Sequence, residues 1–484
     1  MTGELDLRPV VPAMIVAVTG LVILLVQAFS PRDKPTPSAA LSLAGLLAAL
    51  AATGLLATGT GRGAMLAQAV TADDFSLFFH ALVLGIAAVA VLLSPAYLRA
   101  NGIDCGEYYA LLLFSVVGML GLVSSLELVS MFVALEIMSI ALYGMAGLNR
   151  SRIESQEAAL KYLVTGAFSS AFFLYGIALL YGVSGSTSLD RVALAMSTLS
   201  TESVSLALLG AGMLLVGFGF KVAAVPFHMW APDVYEGAPT TATAFMSAGV
   251  KAAAFGALLR VFGSGLHALS GDWQPLVASM AIVTMIVGNL SALAQGNLKR
   301  MLAFSSIAHA GYVLTAFVAA PAVAGEAVLF YLVAYAAVNL GAFGTIAALS
   351  RHGSEPLSLN DVAGLAERRP ALAAALTVFL VSLTGIPATG GFVGKFFLFN
   401  AAVSAGWVGL AIVGLLMSVV SAYYYLRVVV AMYMHEPGTE DTWASVSASA
   451  AVALAVSAAV TLALGIYPAP VLSLARLAAR SIIQ

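Results

Sequence analysis

Residues 371–402 read ALAAALTVFLVSLTGIPATGGFVGKFFLFNAA and contain a single charged side chain, that of Lys395. The run exceeds the roughly 20 apolar residues that a membrane-spanning helix needs. Gly385–Gly391 interrupts it, because glycine and proline weaken the hydrogen-bond ladder of a helix. A lysine at the centre of such a helix costs about 2.5–3.5 kcal/mol on the insertion scale. The stretch therefore predicts a broken membrane-spanning helix with a functional charge next to the break.

The composition of the whole chain also indicates a membrane protein. Of its 484 residues, 61% are hydrophobic and 9% are charged, whereas soluble proteins carry about 25% charged residues. This balance excludes a soluble enzyme and a disordered or collagen-like chain. The net charge of −2 argues against a nucleic-acid partner. Cys105 is the single cysteine, so neither an intrachain disulfide nor a cysteine cluster for zinc or iron–sulfur can form.

Apolar runs of membrane-spanning length recur along the sequence. We predict an all-α polytopic membrane protein with 14 transmembrane helices, short linkers and no soluble domain. The predicted spans are 8–29, 39–59, 74–96, 108–125, 127–148, 157–182, 204–228, 242–264, 276–294, 300–320, 325–349, 371–402, 407–433 and 446–468.

The basic residues of the linkers predict the orientation, because lysine and arginine are enriched on the cytoplasmic side. Ten lie in linkers of one side and five on the other. The set of ten is Arg32, Lys34, Arg99, Arg150, Arg152, Lys299, Arg300, Arg351, Arg368 and Arg369; the set of five is Arg8, Arg62, Arg191, Arg476 and Arg480. Both termini are therefore expected on the outer side, which requires an even number of spans.

Two distant segments are similar in sequence. Glu157–Val164 reads EAALKYLV and Glu326–Val333 reads EAVLFYLV, so six of eight positions agree at a shift of 169 residues. The shift covers five predicted spans, and an odd number turns the second copy upside down, as in many ion transporters. Chance similarity between helices rich in Ala and Leu is the alternative. The predicted units are 1–107 (spans 1–3), 108–265 (first five-helix repeat, spans 4–8), 276–433 (inverted second repeat, spans 9–13) and 446–484 (span 14).

Ionisable residues inside predicted spans are candidates for function, because charges there are rare. They are Glu136, Lys161, Lys221, Lys251, His309 and Lys395, with Lys161 expected near the entrance of span 6. A low dielectric weakens a lysine's preference for its charged form and a nearby carboxylate restores it. Histidine can bridge two sites through its two nitrogens. We expect these groups to form a proton path at mid-depth, with structural ion pairs as the alternative.

Glycines stand ahead of a lysine in two spans, in Gly217–Lys221 and in Thr384–Lys395. Inside a membrane, a broken helix survives only where protein or water satisfies the freed backbone groups. We predict that spans 7 and 12 are broken before their lysines, at equivalent positions of the two repeats; an ordinary kink is the alternative. The linker after span 7 carries His228, Asp233 and Glu236, which either collect protons at an entrance or belong to a tight capped turn.

The segment Phe220–Thr240 reads FKVAAVPFHMWAPDVYEGAPT. It resembles the helix 7–8 signature of the antiporter-like subunits of respiratory complex I, the proton-translocating NADH:quinone oxidoreductase. The form Ala231–Gly237 resembles the N-type members, the homologues of mitochondrial subunit 2. The resemblance extends over essentially the whole chain and is most specific at spans 5, 7, 8 and 12.

The resemblance implies a membrane-arm subunit that translocates protons while other subunits oxidise NADH and reduce quinone. It implies that Glu136 pairs with Lys221 and that Lys251 lies on a central polar axis. His309 would link the two halves, and Lys395 would serve the outlet half. No redox site is expected in this chain.

The same resemblance implies the partners and the location. FMN, iron–sulfur clusters and quinone would belong to partner subunits, with no cofactor in this chain. The neighbours would be antiporter-like subunit M and the small subunits K and J, in the inner membrane of a bacterium. Two other assemblies fit the same residues, a multisubunit cation/proton antiporter and a membrane-bound hydrogenase or ferredoxin-linked complex. A membrane scaffold without transport is the alternative from a different class.

Overall fold

The computed structural model describes residues 6–30, 37–59, 63, 65–66, 69–350, 355, 357–436 and 445–482. These ranges contain nineteen α-helices and one short antiparallel hairpin. The helices are α1 (Val11–Phe29), α2 (Ser38–Thr58), α3 (Asp74–Ala100), α4 (Gly106–Ser124), α5 (Leu128–Ala146), α6 (Ile153–Ser184), α7 (Leu189–Ser197), α8 (Thr201–Val222), α9 (Trp230–Gly237), α10 (Thr240–Arg260), α11 (Ser270–Leu293), α12 (Leu298–Leu314), α13 (Pro321–Leu349), α14 (Leu365–Arg368), α15 (Pro370–Thr384), α16 (Gly390–Ser404), α17 (Val408–Met434), α18 (Ala448–Ile466) and α19 (Ala469–Arg480). The strands are β1 (Met65–Leu66) and β2 (Val70–Thr71).

Thirteen helices in the described ranges are long and apolar enough to cross a membrane. They correspond to the predicted spans other than 371–402, whose residues are divided between α15 and α16. The all-α polytopic membrane fold is therefore confirmed. The count of fourteen spans and the inverted repeat stay predictions.

The predicted span 204–228 is divided at a different place. Helix α8 ends at Val222, Ala223 adopts the left-handed conformation with φ of 60°, and α9 follows. The break therefore comes after Lys221, and the prediction that it precedes this lysine is wrong. Gly217 remains helical, and a Cβ there would lie 2.6 Å from the ring of Phe173 on α6. The glycine thus permits close packing of α6 against α8.

Span 12 is broken ahead of its lysine, as predicted. Helix α15 ends at Thr384, where Gly385 takes a φ of 90° that suits glycine. Helix α16 begins at Gly390. Lys395 consequently lies in the second turn of α16, the helix after the break, whereas Lys221 lies in the last turn of α8, the helix before the break.

The centre of the bundle is formed by α10, α12 and α13, which are almost completely buried. Helix α10 is rich in Ala, Gly, Ser and Thr, and small residues let neighbouring helices approach closely. Helices α1, α2, α17 and α18 lie at the periphery and bury only about a third of their apolar windows. The buried lysine Lys251 therefore lies on the most protected helix of the protein.

Ion pairs tie the helices together at both ends of the bundle. Arg260, at the end of α10, is buried and donates to both carboxylate oxygens of Asp73, at 2.9 and 3.0 Å. Burial by itself would raise the pKa of Asp73, but Arg260 outweighs it and holds this pKa below its usual value. At the opposite end of α3, Tyr97 donates to Glu355, which also lies 3.1 Å from Lys299.

Two amphipathic helices are absent from the sequence prediction. The unit 446–484, predicted to hold one helix, contains both α18 and α19 in its described part. Helix α7 follows α6 and was not predicted either. Both are too short to register as membrane spans.

Gly118 provides a test of the packing of α4 on α5. A Cβ at this position would lie 2.3 Å from the backbone nitrogen of Met138 and 2.6 Å from the carbonyl oxygen of Ala134. We expect Gly118→Leu to destabilise the protein by at least the roughly 1–3 kcal/mol typical of overpacking. The measurement is the thermal midpoint and yield of the chain in detergent-solubilised membranes. Gly212→Leu is the matched control, because no atom lies within 4 Å of its Cβ position. Equal midpoints for the two variants would contradict the prediction.

Candidate functional site

Lys221 lies in an aromatic cage at the end of α8. Its Nζ donates to Ser139 Oγ of α5 at 2.7 Å. The rings of Tyr143, Tyr162 and Phe220 surround the ammonium at 5.4–5.6 Å from their centroids. The C-terminal end of a helix also favours a positive charge, and aromatic faces attract cations. The cage can therefore hold a protonated lysine without a direct counter-ion.

Glu136 lies half-buried on α5 and accepts a hydrogen bond from Ser170 Oγ of α6. No ion pair within 4.0 Å joins it to Lys221, since Ser139 takes the lysine's hydrogen bond. Ser139 is one helical turn beyond Glu136, so both face α8. The direct Glu136–Lys221 pair implied by the resemblance is thus not formed in this conformation. Lys221 would exchange Ser139 for Glu136 only after a rotation of the Lys221 or the Glu136 side chain.

An aromatic ladder runs from Lys221 to the next lysine. Tyr162 stacks on Trp230 with centroids 4.5 Å apart, and Trp230 meets Tyr235 at 6.1 Å. Tyr235 lies on α9, which packs against α12, the helix that carries Ser306. Ser306 in turn accepts from Lys251 through its backbone oxygen.

Lys251 is buried at the centre of the bundle. Besides the Ser306 carbonyl, the ring of Tyr335 of α13 lies near the amine, with its centroid 5.9 Å from Nζ. Tyr335 donates to Ser306 Oγ at 2.7 Å. One hydrogen bond leaves two of the three N–H donors of a protonated lysine unsatisfied. This environment favours the neutral amine more strongly than the cage of Lys221 does.

His309 is hydrogen-bonded through both ring nitrogens. Nδ1 meets the hydroxyl of Tyr331, and Nε2 lies 3.1 Å from the hydroxyl of Tyr425. In a neutral imidazole, one nitrogen donates and the other accepts, so the ring can pass a proton from one tyrosine side to the other. His309, Lys251 and Tyr331 line the same interior gap, which has 0 Å³ of space for a water molecule. The step between Lys251 and His309 is therefore dry in this conformation.

Lys395 caps the end of the first half of span 12. Its Nζ donates to the carbonyl oxygens of Leu383 at 2.8 Å and Thr384 at 3.0 Å, and to Ser418 Oγ at 2.7 Å. These carbonyls have no helical partner because α15 ends there. The ring centroid of Tyr312 lies 4.7 Å away. All three donors of the ammonium are satisfied, and the helix dipole favours its charge.

A cavity of about 290 Å³ opens beside Lys395, between α16 and α17. Ser418 and Asn400 contribute its polar lining, and Phe396 and Leu415 stand at its exposed rim. The lysine therefore has access to a space that can hold water, in contrast to His309.

Lys161 does not lie with the other lysines. It is partly exposed and forms 2.6 Å ion pairs with Glu157 of its own helix and Asp233 of α9. Arg300 completes the group with contacts of 2.8 Å to Asp233 and 2.7 Å to Glu236. Burial would raise the pKa of Asp233, but Lys161 and Arg300 hold this pKa below its usual value. The acids of the α9 segment are therefore held in a surface ionic network.

Sequence reasoning missed a buried cluster around Glu355. Its carboxylate accepts from Tyr97, from Thr240 Oγ1 at 2.6 Å and from Lys299 Nζ at 3.1 Å, and Arg152 lies at 3.8 Å. Burial would raise the pKa of Glu355, but Lys299, Thr240 and Tyr97 together hold it below its usual value. The members come from three separate helices and two linkers, so no spacing in the sequence indicates the cluster.

The chain is similar in sequence and structure to several known proteins. Residues 125–421 match the family described as NADH:quinone oxidoreductase/Mrp antiporter, TM. NADH-quinone oxidoreductase subunit N of Trichlorobacter lovleyi is 45% identical over 99% of this chain and 98% of its own length. A chain of respiratory complex I from Thermus thermophilus is 36% identical and superposes with a TM-score of 0.80, covering 96% of this chain and 99% of its own. A chain of the Mrp complex from a Dietzia species is 22% identical, with a TM-score of 0.85 over 100% of this chain and 98% of its own, which shows a shared fold alone.

The Glu355 cluster predicts a pH-dependent contribution to stability. We expect Glu355→Gln to destabilise the protein at neutral pH by about 3–5 kcal/mol, because it leaves buried Lys299 without its counter-charge. A carboxyl with a lowered pKa stabilises the fold fully above its ordinary pKa of 4.5 and loses this contribution as the pH falls below it. The difference in thermal midpoint between wild type and variant should therefore shrink below about pH 4.5.

The matched control for this experiment is Glu107→Gln, at an exposed acid in the first turn of α4. It should leave the thermal midpoint unchanged across the same pH range. A Glu355→Gln variant as stable as the control at neutral pH would show that the cluster does not hold the linker in place.

Proposed function

This chain belongs to the NADH:quinone oxidoreductase/Mrp antiporter transmembrane family, and we propose that it translocates protons as an antiporter-like membrane-arm subunit of an NADH:quinone oxidoreductase. The observation that carries the proposal is the set of buried ionisable groups Lys221, Lys251, His309 and Lys395. Each is hydrogen-bonded to hydroxyl or carbonyl groups, and no carboxylate of a described residue lies within ion-pair distance of any of them. Such groups are costly inside a membrane and are kept for a function.

In the proposed path, a proton enters near α9, where Lys161, Asp233 and Glu236 meet the surface. It moves to Lys221 and along the line of Lys251 and His309. It leaves from Lys395, next to the 290 Å³ cavity. In this path Lys161 lies at the entrance and is separate from the buried groups Lys221, Lys251, His309 and Lys395.

Glu136 is the proposed coupling group. When it meets Lys221 directly, the ammonium is stabilised as the charged form; when Ser139 replaces it, the lysine gives up its proton more readily. The switch costs only side-chain rotations, because both residues face the same lysine. This exchange of partners would link the charge of Lys221 to conformational changes in the neighbouring subunit, which would lie on the half-exposed side of α5.

The dry step between Lys251 and His309 is the proposed gate. Each elementary charge moved against 100 mV costs about 2.3 kcal/mol, so an always hydrated route would leak protons backwards. The gap lined by Tyr331 and Tyr335 admits no water in this conformation. Rotation of these tyrosines would hydrate it for part of the cycle.

The remaining assignments are proposed from the resemblance of the sequence to complex I subunits and from its linker charges. FMN, iron–sulfur clusters and quinone would be carried by partner subunits, and the neighbours would be subunits M, K and J. We place the chain in the inner membrane of a bacterium with both termini on the outer side, as its linker charges indicate. Among the residues that the structure describes, no group of three His, Cys, Asp or Glu side chains could hold a metal ion.

A cation/proton antiporter subunit is the second candidate, favoured by the fold shared with the Mrp complex. Affinity purification of the tagged chain distinguishes the two. Co-isolation of NADH:quinone oxidoreductase activity with flavin and iron–sulfur signals supports the first function. Co-isolation of membrane subunits alone, with sodium-dependent proton exchange in vesicles, would support the second and overturn the first.

His309 and His80 form a matched pair for testing the path. His309→Gln keeps partners for Tyr331 and Tyr425 but cannot carry a proton, so we expect protons pumped per electron to fall in proteoliposomes. His80 is equally buried, on α3, and is hydrogen-bonded to Ser124 Oγ at 2.7 Å, away from the row. His80→Gln should leave the ratio unchanged. A wild-type ratio in fully assembled His309→Gln complexes would remove His309 from the path.

A further inference from the structure

Two cavities lie next to each other on one side of the bundle. The first, of about 340 Å³, lies between α3, α13, α18 and α19, and the second, of about 450 Å³, lies between α2, α3 and α19. Both are lined by Phe78, Ala81 and Leu474, so they adjoin at these side chains. We call the two cavities together, from Asp74 to Val89 along α3, the α3–α19 groove.

The groove is apolar over most of its length. In the first cavity Ser457 is the single polar lining side chain. Two glycines keep the space open: at Gly54 and at Gly85, no atom lies within 4 Å of the position a Cβ would take. Both glycines line the groove, one in each cavity. A flexible hydrocarbon chain fits such a space, because it brings no polar group that would need a partner.

The length of the groove matches one leaflet of a membrane. Helix α3 rises about 1.5 Å per residue, so Asp74 and Val89 are about 22 Å apart along its axis. One leaflet with its headgroup region is about 20–22 Å thick, half of the bilayer. A transmembrane helix of another protein would extend through both leaflets, whereas the groove ends near the middle.

The mouth of the groove carries charge. Phe75 N donates to Ser481 Oγ at 3.1 Å, which brings the start of α3 to the end of α19 and their neighbours Asp74 and Arg480 to the same place. Arg480 is exposed and has no hydrogen-bond or ion-pair partner among the described residues. An exposed guanidinium at this end of the groove suits the phosphate of a phospholipid headgroup.

We propose that the α3–α19 groove binds a membrane phospholipid. One acyl chain fills the groove past Gly54 and Gly85, and the phosphate contacts Arg480. By the orientation of the linker charges, this lipid belongs to the outer leaflet. The site is separate from the proton path and does not depend on the proposed function.

The test uses phosphatidylethanolamine with a diazirine in the middle of one acyl chain. The purified complex is reconstituted with this lipid and irradiated, and the labelled peptides are mapped by mass spectrometry. We expect labelling of 78–89, 456–460 and 471–474 well above that of α8, which serves as an internal reference. Gly85→Phe should lower labelling of these segments at least fivefold, because the ring would occupy the groove and the position of its Cβ is open.

Gly212→Phe is the matched control, since position 212 also faces open space but lies on α8. Gly85→Leu is a smaller second variant in case the phenylalanine lowers assembly. Arg480→Gln should lower labelling by the phosphatidylethanolamine probe several-fold and leave labelling by a diacylglycerol probe unchanged, which separates headgroup from chain. Equal labelling in Gly85→Phe and Gly212→Phe would overturn the proposal. So would cross-linking of a photoreactive residue at position 85 to another subunit, which would identify a protein occupant.

Discussion

A protonated lysine has three N–H donors that hydrocarbon cannot satisfy, and the protein must supply their partners. The structure does so in three different ways. Lys395 receives two free carbonyls at a helix end and one hydroxyl. Lys221 receives one hydroxyl and three aromatic faces. Lys251 receives a single carbonyl and one tyrosine ring. The three sites therefore differ in how well they hold a proton, and a path needs such a difference between its stations.

The breaks in spans 7 and 12 serve this requirement. A continuous helix uses all its carbonyls internally, whereas a helix that ends inside the bundle leaves its last carbonyls free. Lys395 binds those of α15, and Lys221 lies at the end of α8, where the helix dipole favours its charge. The glycines near the two lysines contribute differently. Gly385 takes the left-handed turn that ends α15, and Gly217 brings α8 against Phe173.

Tight packing of the central helices would control when water enters the proposed proton path. Because α10 and α12 are buried on all sides, water cannot reach Lys251 and His309 without movement of neighbouring side chains. The tyrosines that surround His309 are held by hydrogen bonds that a rotation can exchange, such as the 2.7 Å bond from Tyr335 to Ser306. The ionic clusters at the two ends of the bundle, around Glu355 and around Arg260, hold the helix ends together.

The sequence by itself determined the membrane class, the approximate positions of the spans and the buried groups Lys221, Lys251, His309 and Lys395. These properties depend on local hydropathy, because a helix of about 20 apolar residues is long enough to span the bilayer. It also located the break in span 12, because Gly-Ile-Pro is a local signal. Only the tertiary structure decided the partners. Lys221 is hydrogen-bonded to Ser139 and not to Glu136, and Lys161 pairs with Asp233 at the surface. Glu355 meets Lys299 and Tyr97. Each of these contacts joins residues that are far apart in the chain. Such contacts depend on how helices pack against one another, and the hydropathy of a segment does not specify that packing.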